Sequence, residues 1–214
     1  EAAVGPQGLV LMPSFNLTEG DRTATWKGIA TTPATTGWLT EYFRRMSGTL
    51  RSDHYSHSVA ARGPRAAEFV GGHLRREGAR SIWDREPWGY TYGSASPFQK
   101  MYNANGKILM LGVDYHTATF IHLVETLHWN RRIVQEPAAP FRAPFTRKWL
   151  GAWWDSLGRL VFGKVGDANC RLFAIRDFVD TLLAAVDADP DRWDKWSPRY
   201  ADHPGPESGF PGPL

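Results

Sequence analysis

The chain has 214 residues, of which 42% are hydrophobic and 22% charged. This length and composition allow one sizeable core and exclude disordered, collagen-like, coiled-coil and disulfide-rich proteins. A single cysteine excludes an internal disulfide, and the lack of a long apolar run excludes a membrane-spanning helix. The net charge of +3 is spread without a Lys/Arg stripe, so we expect neither a nucleic-acid nor a membrane partner. We expect a single-domain cytoplasmic protein.

The first third of the chain predicts a buried strand, a long loop and two helices. Residues 9–12 form a short apolar run after a turn, which is typical of a buried strand. Because such a strand needs neighbours on both sides, we expect further residues to precede it in the natural protein. The polar loop that follows is long enough to be a binding loop. Apolar residues at helical spacing then predict helices from Trp38 and from Pro64.

The rest of the chain alternates strands and helices. A turn signal at Asn105-Gly106 precedes a predicted strand over residues 107–113. A helix is predicted over 119–129, and the most amphipathic helix of the chain over 175–186. This alternation predicts an α/β fold, with a central mixed sheet and helices packed on both faces.

The C-terminus differs from the rest in composition. Residues 197–214 contain five prolines and three glycines. Such a segment does not build a packed core. We therefore predict one globular domain over 1–196 and a Pro/Gly-rich tail over 197–214.

Histidines recur at short spacing in two places. His54 and His57 lie three residues apart, and His122, Glu125 and His128 recur every third residue of a predicted helix. Two successive steps of three residues sweep about 120° of a helix surface, so these side chains converge poorly on a metal ion. A zinc protease motif requires two histidines four residues apart. We expect no metal, and keep a metal hydrolase built on these histidines as an alternative.

His122 and Glu125 alone suggest acid–base chemistry. Side chains three residues apart on a helix are neighbours, so the carboxylate can accept the imidazole N–H and orient the ring. The pair follows a predicted strand, where open α/β sheets bind ligands. The spacing therefore makes His122 a candidate general base, the alternative being a surface ion pair of little consequence.

Eight segments together resemble a known family. They are residues 9–15 (LVLMPSF), 36–45 (TGWLTEYFRR), 51–61 (RSDHYSHSVAA), 63–66 (GPRA), 93–98 (GSASPF), 106–113 (GKILMLGV), 119–125 (TFIHLVE) and 163–168 (GKVGDA). In this order they resemble the aminoglycoside 3-N-acetyltransferases, also called antibiotic N-acetyltransferases. The resemblance implies direct acetyl transfer from acetyl-CoA, the co-substrate, to the 3-amino group of an aminoglycoside, without a covalent enzyme intermediate.

The resemblance also implies roles for individual residues. His122 matches the base, Glu125 its carboxylate, and His57 belongs to a motif at the active site. The residues implied in binding acetyl-CoA are Ser14, Phe15, Ser58, Val59 and Thr119. Since aminoglycosides are polycations, the acceptor site needs carboxylates, for which the candidates are Asp53, Glu86 and Asp114.

Two departures from the family pattern keep alternatives open. About sixty N-terminal residues that the family usually has are missing, which agrees with the abrupt first strand. The loop over residues 114–118 also differs from that of many members. The alternatives are an acyl-CoA-dependent transferase for another amine, such as a natural-product intermediate, and a non-catalytic CoA- or drug-binding relative. The resemblance leaves open a monomer or a homodimer.

Overall fold

A computed structural model describes residues 4–141 and 145–194. Its contacts divide the chain after Lys100 into two compact units. The predicted mixture of helices and strands is confirmed. The predicted central mixed sheet is wrong, because the described strands form two three-stranded sheets in which every pairing is antiparallel. The predicted tail over 197–214 lies outside the described residues.

The sheet of the first unit has the order β1-β3-β2. Its strands are β1 (Val10–Pro13), β2 (Leu50–Arg51) and β3 (Val59–Arg62). In the register, Val10 lies opposite Arg62, and Pro13 opposite Val59. Residues 14–16 continue from β1, and residues 54–58 lead into β3. Except for Asn16, these residues belong to the segments 9–15 and 51–61 that carry the resemblance.

Four helices accompany this sheet. They are α1 (Arg22–Thr25), α2 (Trp38–Arg45), α3 (Ala66–Val70) and α4 (Pro97–Asn103), the last of which crosses the division between the units. A small apolar core of Ala61, Ala66 and Val70 joins β3 to α3, with Leu9 and Leu11 packed against it. The helix predicted from Pro64 therefore exists but ends at Val70.

The sheet of the second unit has the order β4-β6-β5. Its strands are β4 (Lys107–Leu111), β5 (Val161–Val165) and β6 (Ala168–Ala174), and a tight turn joins β5 to β6. One face of the sheet is buried and contributes Met110, Arg171 and Phe173 to the interior.

The helices of the second unit pack around a core of aromatic and aliphatic side chains. They are α5 (Phe120–Gln135), α6 (Arg147–Ser156), α7 (Ile175–Ala188) and α8 (Pro190–Trp193), and a 3₁₀ helix (Tyr115–Thr117) precedes α5. Trp154 and Phe178 are fully buried and meet edge to face at 5.2 Å. The amphipathic helix predicted over 175–186 is confirmed, with six buried residues along α7.

Within the described part of the chain, no helix combines the length and the apolar character needed to cross a bilayer.

Candidate active site

The first two turns of α5 carry the predicted acid–base pair. Nδ1 of His122 lies 2.5 Å from Oε2 of Glu125, as the three-residue spacing predicted. The Glu125 side chain is fully buried, whereas that of His122 is 19% exposed. An ionised carboxylate only accepts hydrogen bonds, so Nδ1 holds the hydrogen and Nε2 is the basic atom of the ring. This arrangement can take up a proton and hold the resulting imidazolium beside a negative charge.

A buried polar group anchors the 3₁₀ helix that leads into α5. The Tyr115 hydroxyl donates to Oδ1 of Asp155 at 2.6 Å, and Nε of Arg171 donates to Oδ2 of the same carboxylate at 3.0 Å. Burial raises the pKa of Asp155, and the hydrogen bonds from Tyr115 and Arg171 oppose that rise. The ring of Tyr115 lies directly against the backbone of Gly151, where a Cβ would come within 2.0 Å of it. The start of α5 is therefore fixed to α6 and β6.

Thr119 is the residue that precedes α5. Its side chain does not cap the helix. The hydroxyl donates instead to the carbonyl oxygen of Thr117 at 3.5 Å.

His57 belongs to the first unit and lies among aromatic rings. It is 5% exposed, and its ring centroid lies 5.2 Å from that of Phe15, 5.8 Å from Trp83 and 5.9 Å from Tyr92. Its Nδ1 lies 2.8 Å from the Ser56 hydroxyl. The surroundings of His57 are therefore mostly apolar, whereas His122 has a carboxylate beside it.

Three of the residues expected to bind acetyl-CoA are joined beside His57. Ser58 donates its hydroxyl to the carbonyl oxygen of Ser14 at 2.5 Å, and the Ser14 backbone N–H donates to the carbonyl oxygen of Ser58 at 2.9 Å. Val59 follows as the first residue of β3 and is 2% exposed. The hydroxyl of Ser14 is buried and has no hydrogen-bond partner in the described part of the chain.

Two further histidines form a buried layer behind His57. Nδ1 of His54 accepts the backbone N–H of His57 at 3.0 Å, so the hydrogen of this ring is on Nε2, 3.2 Å from the Thr91 hydroxyl. The rings of His54 and His73 stack at 4.5 Å. Burial, together with the two neighbouring histidines, holds the pKa of His54 well below its usual value, and burial lowers that of His73 to about 3. Both rings are therefore neutral and support the turn that carries His57.

Arg51 connects the elements around this turn, and no pattern in the sequence indicates this role. It is 8% exposed, and Nε donates to the Ser58 hydroxyl at 2.9 Å. The other guanidinium nitrogens donate to the carbonyl oxygens of Ser14, Ile29 and Thr32. Burial lowers the pKa of Arg51 to about 10. In sequence such a buried arginine cannot be distinguished from a surface one.

The predicted acceptor carboxylates have different surroundings. Glu86 is exposed and pairs with Arg76 at 2.9 Å, and Asp114 is exposed and pairs with Lys148 at 3.3 Å. Asp53 is half-buried, and its Oδ1 has no hydrogen-bond partner among the described residues. Two of the three predicted carboxylates are therefore already balanced by a cation.

The histidines of the metal-hydrolase alternative are engaged elsewhere. Nδ1 of His128 lies 2.7 Å from Oδ1 of Asp187, a residue of α7. Across residues 4–141 and 145–194, no group of three or more His, Cys, Asp or Glu side chains is arranged to hold a metal ion. An open cavity of about 470 Å³ in the first unit is lined by other residues, among them Glu68, Arg75 and Lys100.

Comparisons with known proteins agree with the resemblance. The chain is 27% identical over 184 residues to the SPbeta prophage-derived aminoglycoside N(3')-acetyltransferase-like protein YokD of Bacillus subtilis, covering 79% of this chain and 59% of that protein. It is 27% identical over 216 residues to aminoglycoside N(3)-acetyltransferase IV of Salmonella sp, covering 88% and 72%. The chain thus spans about three fifths of the length of the Bacillus relative.

Solved structures show the same fold. The aminoglycoside acetyltransferase AAC(3)-IVa apoenzyme has a TM-score of 0.68 at 23% identity, covering 90% of this chain and 74% of that one. The binary complex of AAC-IIIb with CoASH has a TM-score of 0.64 at 21% identity, covering 91% and 81%. The family model described as aminoglycoside 3-N-acetyltransferase matches residues 1–186. The chain belongs to this family.

Proposed function

We propose that the chain is an acetyl-CoA-dependent N-acetyltransferase for the 3-amino group of an aminoglycoside, with His122 and Glu125 as its general base. The observation that carries the proposal is the 2.5 Å contact between Nδ1 of His122 and Oε2 of Glu125, on a ring that remains partly exposed. The family match and the fold of the AAC-IIIb complex with CoASH support acetyl-CoA as the donor. Since acetyl-CoA is an intracellular metabolite, we place the activity in the cytoplasm.

The proposed reaction needs one proton acceptor and no covalent intermediate. An alkylammonium group is not a nucleophile until it loses a proton, and Nε2 of His122 takes that proton. The amine nitrogen then attacks the thioester carbonyl carbon and the C–S bond breaks. The CoA sulfur leaves as the thiol, with the second proton that the nitrogen gives up as the amide forms. Glu125 stabilises the imidazolium formed in the first step. General-base assistance of this kind contributes about 10²- to 10⁴-fold in rate.

For the donor side, we propose the segment around Ser14 and Ser58. The buried Ser14 hydroxyl without a partner supports this role, because a polar ligand atom would satisfy it. Phe15, Val59 and His57 lie in the same two segments, each at most 5% exposed, and we assign these side chains to the pantetheine arm of CoA. We assign Thr119, at the start of α5, to the same co-substrate.

For the acceptor side, we propose Asp53, Glu86 and Asp114 as carboxylates that attract the polycation. The ion pairs of Glu86 and Asp114 involve exposed side chains, so ammonium groups of a substrate can displace their partners at little cost. The same ion pairs favour a second candidate, an acceptor amine with fewer positive charges, because they reduce the net negative charge offered to a polycation.

The test uses the purified chain with acetyl-CoA and a panel of amines that includes gentamicin. Released thiol and a product heavier by one acetyl group are expected. His122→Ala should lower kcat at least about 100-fold, while His116→Ala, at an exposed histidine of the preceding 3₁₀ helix, should leave kcat unchanged. Turnover only with less charged amines would favour the second candidate. Binding of acetyl-CoA without turnover on any amine would contradict catalysis.

A further inference from the structure

The strand β5 is an exposed edge of the second sheet. It pairs with β6 on one side, and within residues 145–194 and 4–141 no strand pairs with its other side. Val161, Gly163, Lys164 and Val165 are all exposed, with Val161 at 65% and Val165 at 58%. A regular edge strand with no proline offers a row of backbone donors and acceptors to another strand.

The sequence of this edge is complementary to itself. Val161 and Val165 lie at equal distances from Gly163, and all three side-chain positions are on the same face of the sheet. If two copies pair antiparallel about a two-fold axis through Gly163, Val161 of one copy lies opposite Val165 of the other. Gly163 meets itself on the axis, where a Cβ would have open space.

Charges beyond the strand ends match in the same arrangement. Arg159 precedes β5 by two residues and Asp167 follows it by two, so in this register each arginine lies opposite the aspartate of the second copy. Within its own chain Arg159 pairs with Asp177 at 3.1 Å, but both side chains are about half exposed, so the arginine can exchange this partner at little cost. Asp167 is exposed and has no ion pair in the described part of the chain. Lys164, which would otherwise discourage strand pairing, lies opposite Phe162 of the second copy, where its cation can rest over the ring.

We propose that two copies of this chain associate through β5, forming one six-stranded antiparallel sheet across a two-fold axis. This inference is independent of the proposed enzymatic function. A five-residue strand spans only about 17 Å, so the strand contact covers less than the roughly 800 Å² per partner of a stable complex. The dimer is therefore weak and forms as the protein concentration rises.

Sedimentation velocity tests the association. The mass of the full chain should rise from that of a monomer toward that of a dimer between about 5 and 500 µM. Val161→Lys should raise the dissociation constant at least about tenfold, because it places two new charges beside the axis. The matched control is Val134→Lys on α5, at a valine that is 82% exposed, and it should leave the constant unchanged. A monomer at every concentration, or equal effects of the two lysines, would overturn the proposal.

A charge swap and a cross-link test the register. Asp167→Arg should weaken the dimer, and adding Arg159→Asp should restore it. Gly163→Cys should form a disulfide between two copies, because opposed residues of antiparallel strands lie about 4.5 to 5.5 Å apart at Cα. Cys170→Ala is included, since Cys170 lies opposite Gly163 within the chain. Failure of the rescue, or no more cross-linking than Val134→Cys gives in the same background, would overturn the proposed register.

Discussion

Glu125 and His122 differ in exposure although Oε2 of one lies 2.5 Å from Nδ1 of the other. The carboxylate is fully buried and the imidazole is 19% exposed. A substrate can therefore reach the ring but not the acid behind it. Because the charge of Glu125 acts in a poorly solvated place, its effect on the ring is larger than that of an exposed carboxylate.

Replacing Glu125 by Gln tests the role of that charge. The amide oxygen of Gln can still accept the Nδ1 hydrogen, but it cannot stabilise the imidazolium. We expect Glu125→Gln to lower kcat by about 10² or more with little change in KM for acetyl-CoA. Steady-state kinetics of thiol release would measure both constants. A kcat within twofold of the parent would show that Glu125 does not assist the base.

Arg51 is expected to be essential for the stability of the first unit. Arg51→Met would remove the donors to Ser58 and to the carbonyl oxygens of Ser14 and Thr32, which stay buried. We expect a loss of about 3 kcal/mol in the free energy of unfolding. Arg51→Lys should recover only part of it, because one ammonium group cannot reproduce the guanidinium fork.

The control for Arg51 is Arg65→Met. Arg65 pairs with Glu68 at 2.6 Å, but both side chains are more than half exposed. Such an exposed pair contributes little to stability. Urea denaturation of the three variants gives the comparison, and a loss in Arg51→Met no larger than in Arg65→Met would contradict the proposed role of the buried network.

Local patterns of the sequence predicted several elements of the fold. The apolar spacing of α7 and the apolar run of β4 identified both elements, and the spacing of His122 and Glu125 identified their contact. These features depend on residues close in sequence. The helix α2 begins after Gly37, and neither Thr35 nor Thr36 caps it, because their hydroxyls donate to carbonyl oxygens of the chain near β1.

Features that depend on distant residues were not predictable. The strand β6 was not predicted, because the charged residue Arg171 occupies a buried position in it and interrupts the alternation of apolar and polar residues that is typical of a strand. Its partners, Asp155 and Tyr115, are 16 and 56 residues away in the chain. The antiparallel order of the strands likewise depends on pairings between distant segments. For the same reason the contacts of Arg51 became visible only in the folded chain.

The buried His73 is expected to make stability depend on pH. Burial lowers its pKa from 6.5 to about 3 in the folded chain, so below pH 6.5 the unfolded state binds a proton that the folded state does not. Stability is therefore fully present above pH 6.5 and is lost as the pH falls toward 3. Between pH 7 and 5 this histidine alone should remove about 2 kcal/mol from the free energy of unfolding.

Urea denaturation of the parent and His73→Gln at pH 7 and 5 would measure this contribution. The variant should be less stable at pH 7 but should lose less stability on acidification. Glu41, whose pKa is lowered to about 2 chiefly by the hydrogen bond from Arg44, loses its contribution below about pH 4.5 and so falls outside this window. His116→Gln serves as the control at an exposed histidine. Equal pH dependence in the parent and His73→Gln would contradict the assignment.

Gly151 is expected to tolerate no side chain, although it lies inside the helix α6. Alanine would favour the helix by about 1 kcal/mol, but its Cβ would lie 2.0 Å from Cγ of Tyr115. The ring would have to move, and the hydrogen bond from Tyr115 to Asp155 would break. We expect a net loss of about 2 to 3 kcal/mol in unfolding free energy. Because Tyr115 fixes the start of α5, kcat should fall as well.

The control is Gly163→Ala, whose Cβ meets nothing within 4 Å and which should change the stability of dilute protein by less than about 0.5 kcal/mol. If both alanine variants unfold at the same urea concentration, the position of the Tyr115 ring does not require a glycine at position 151.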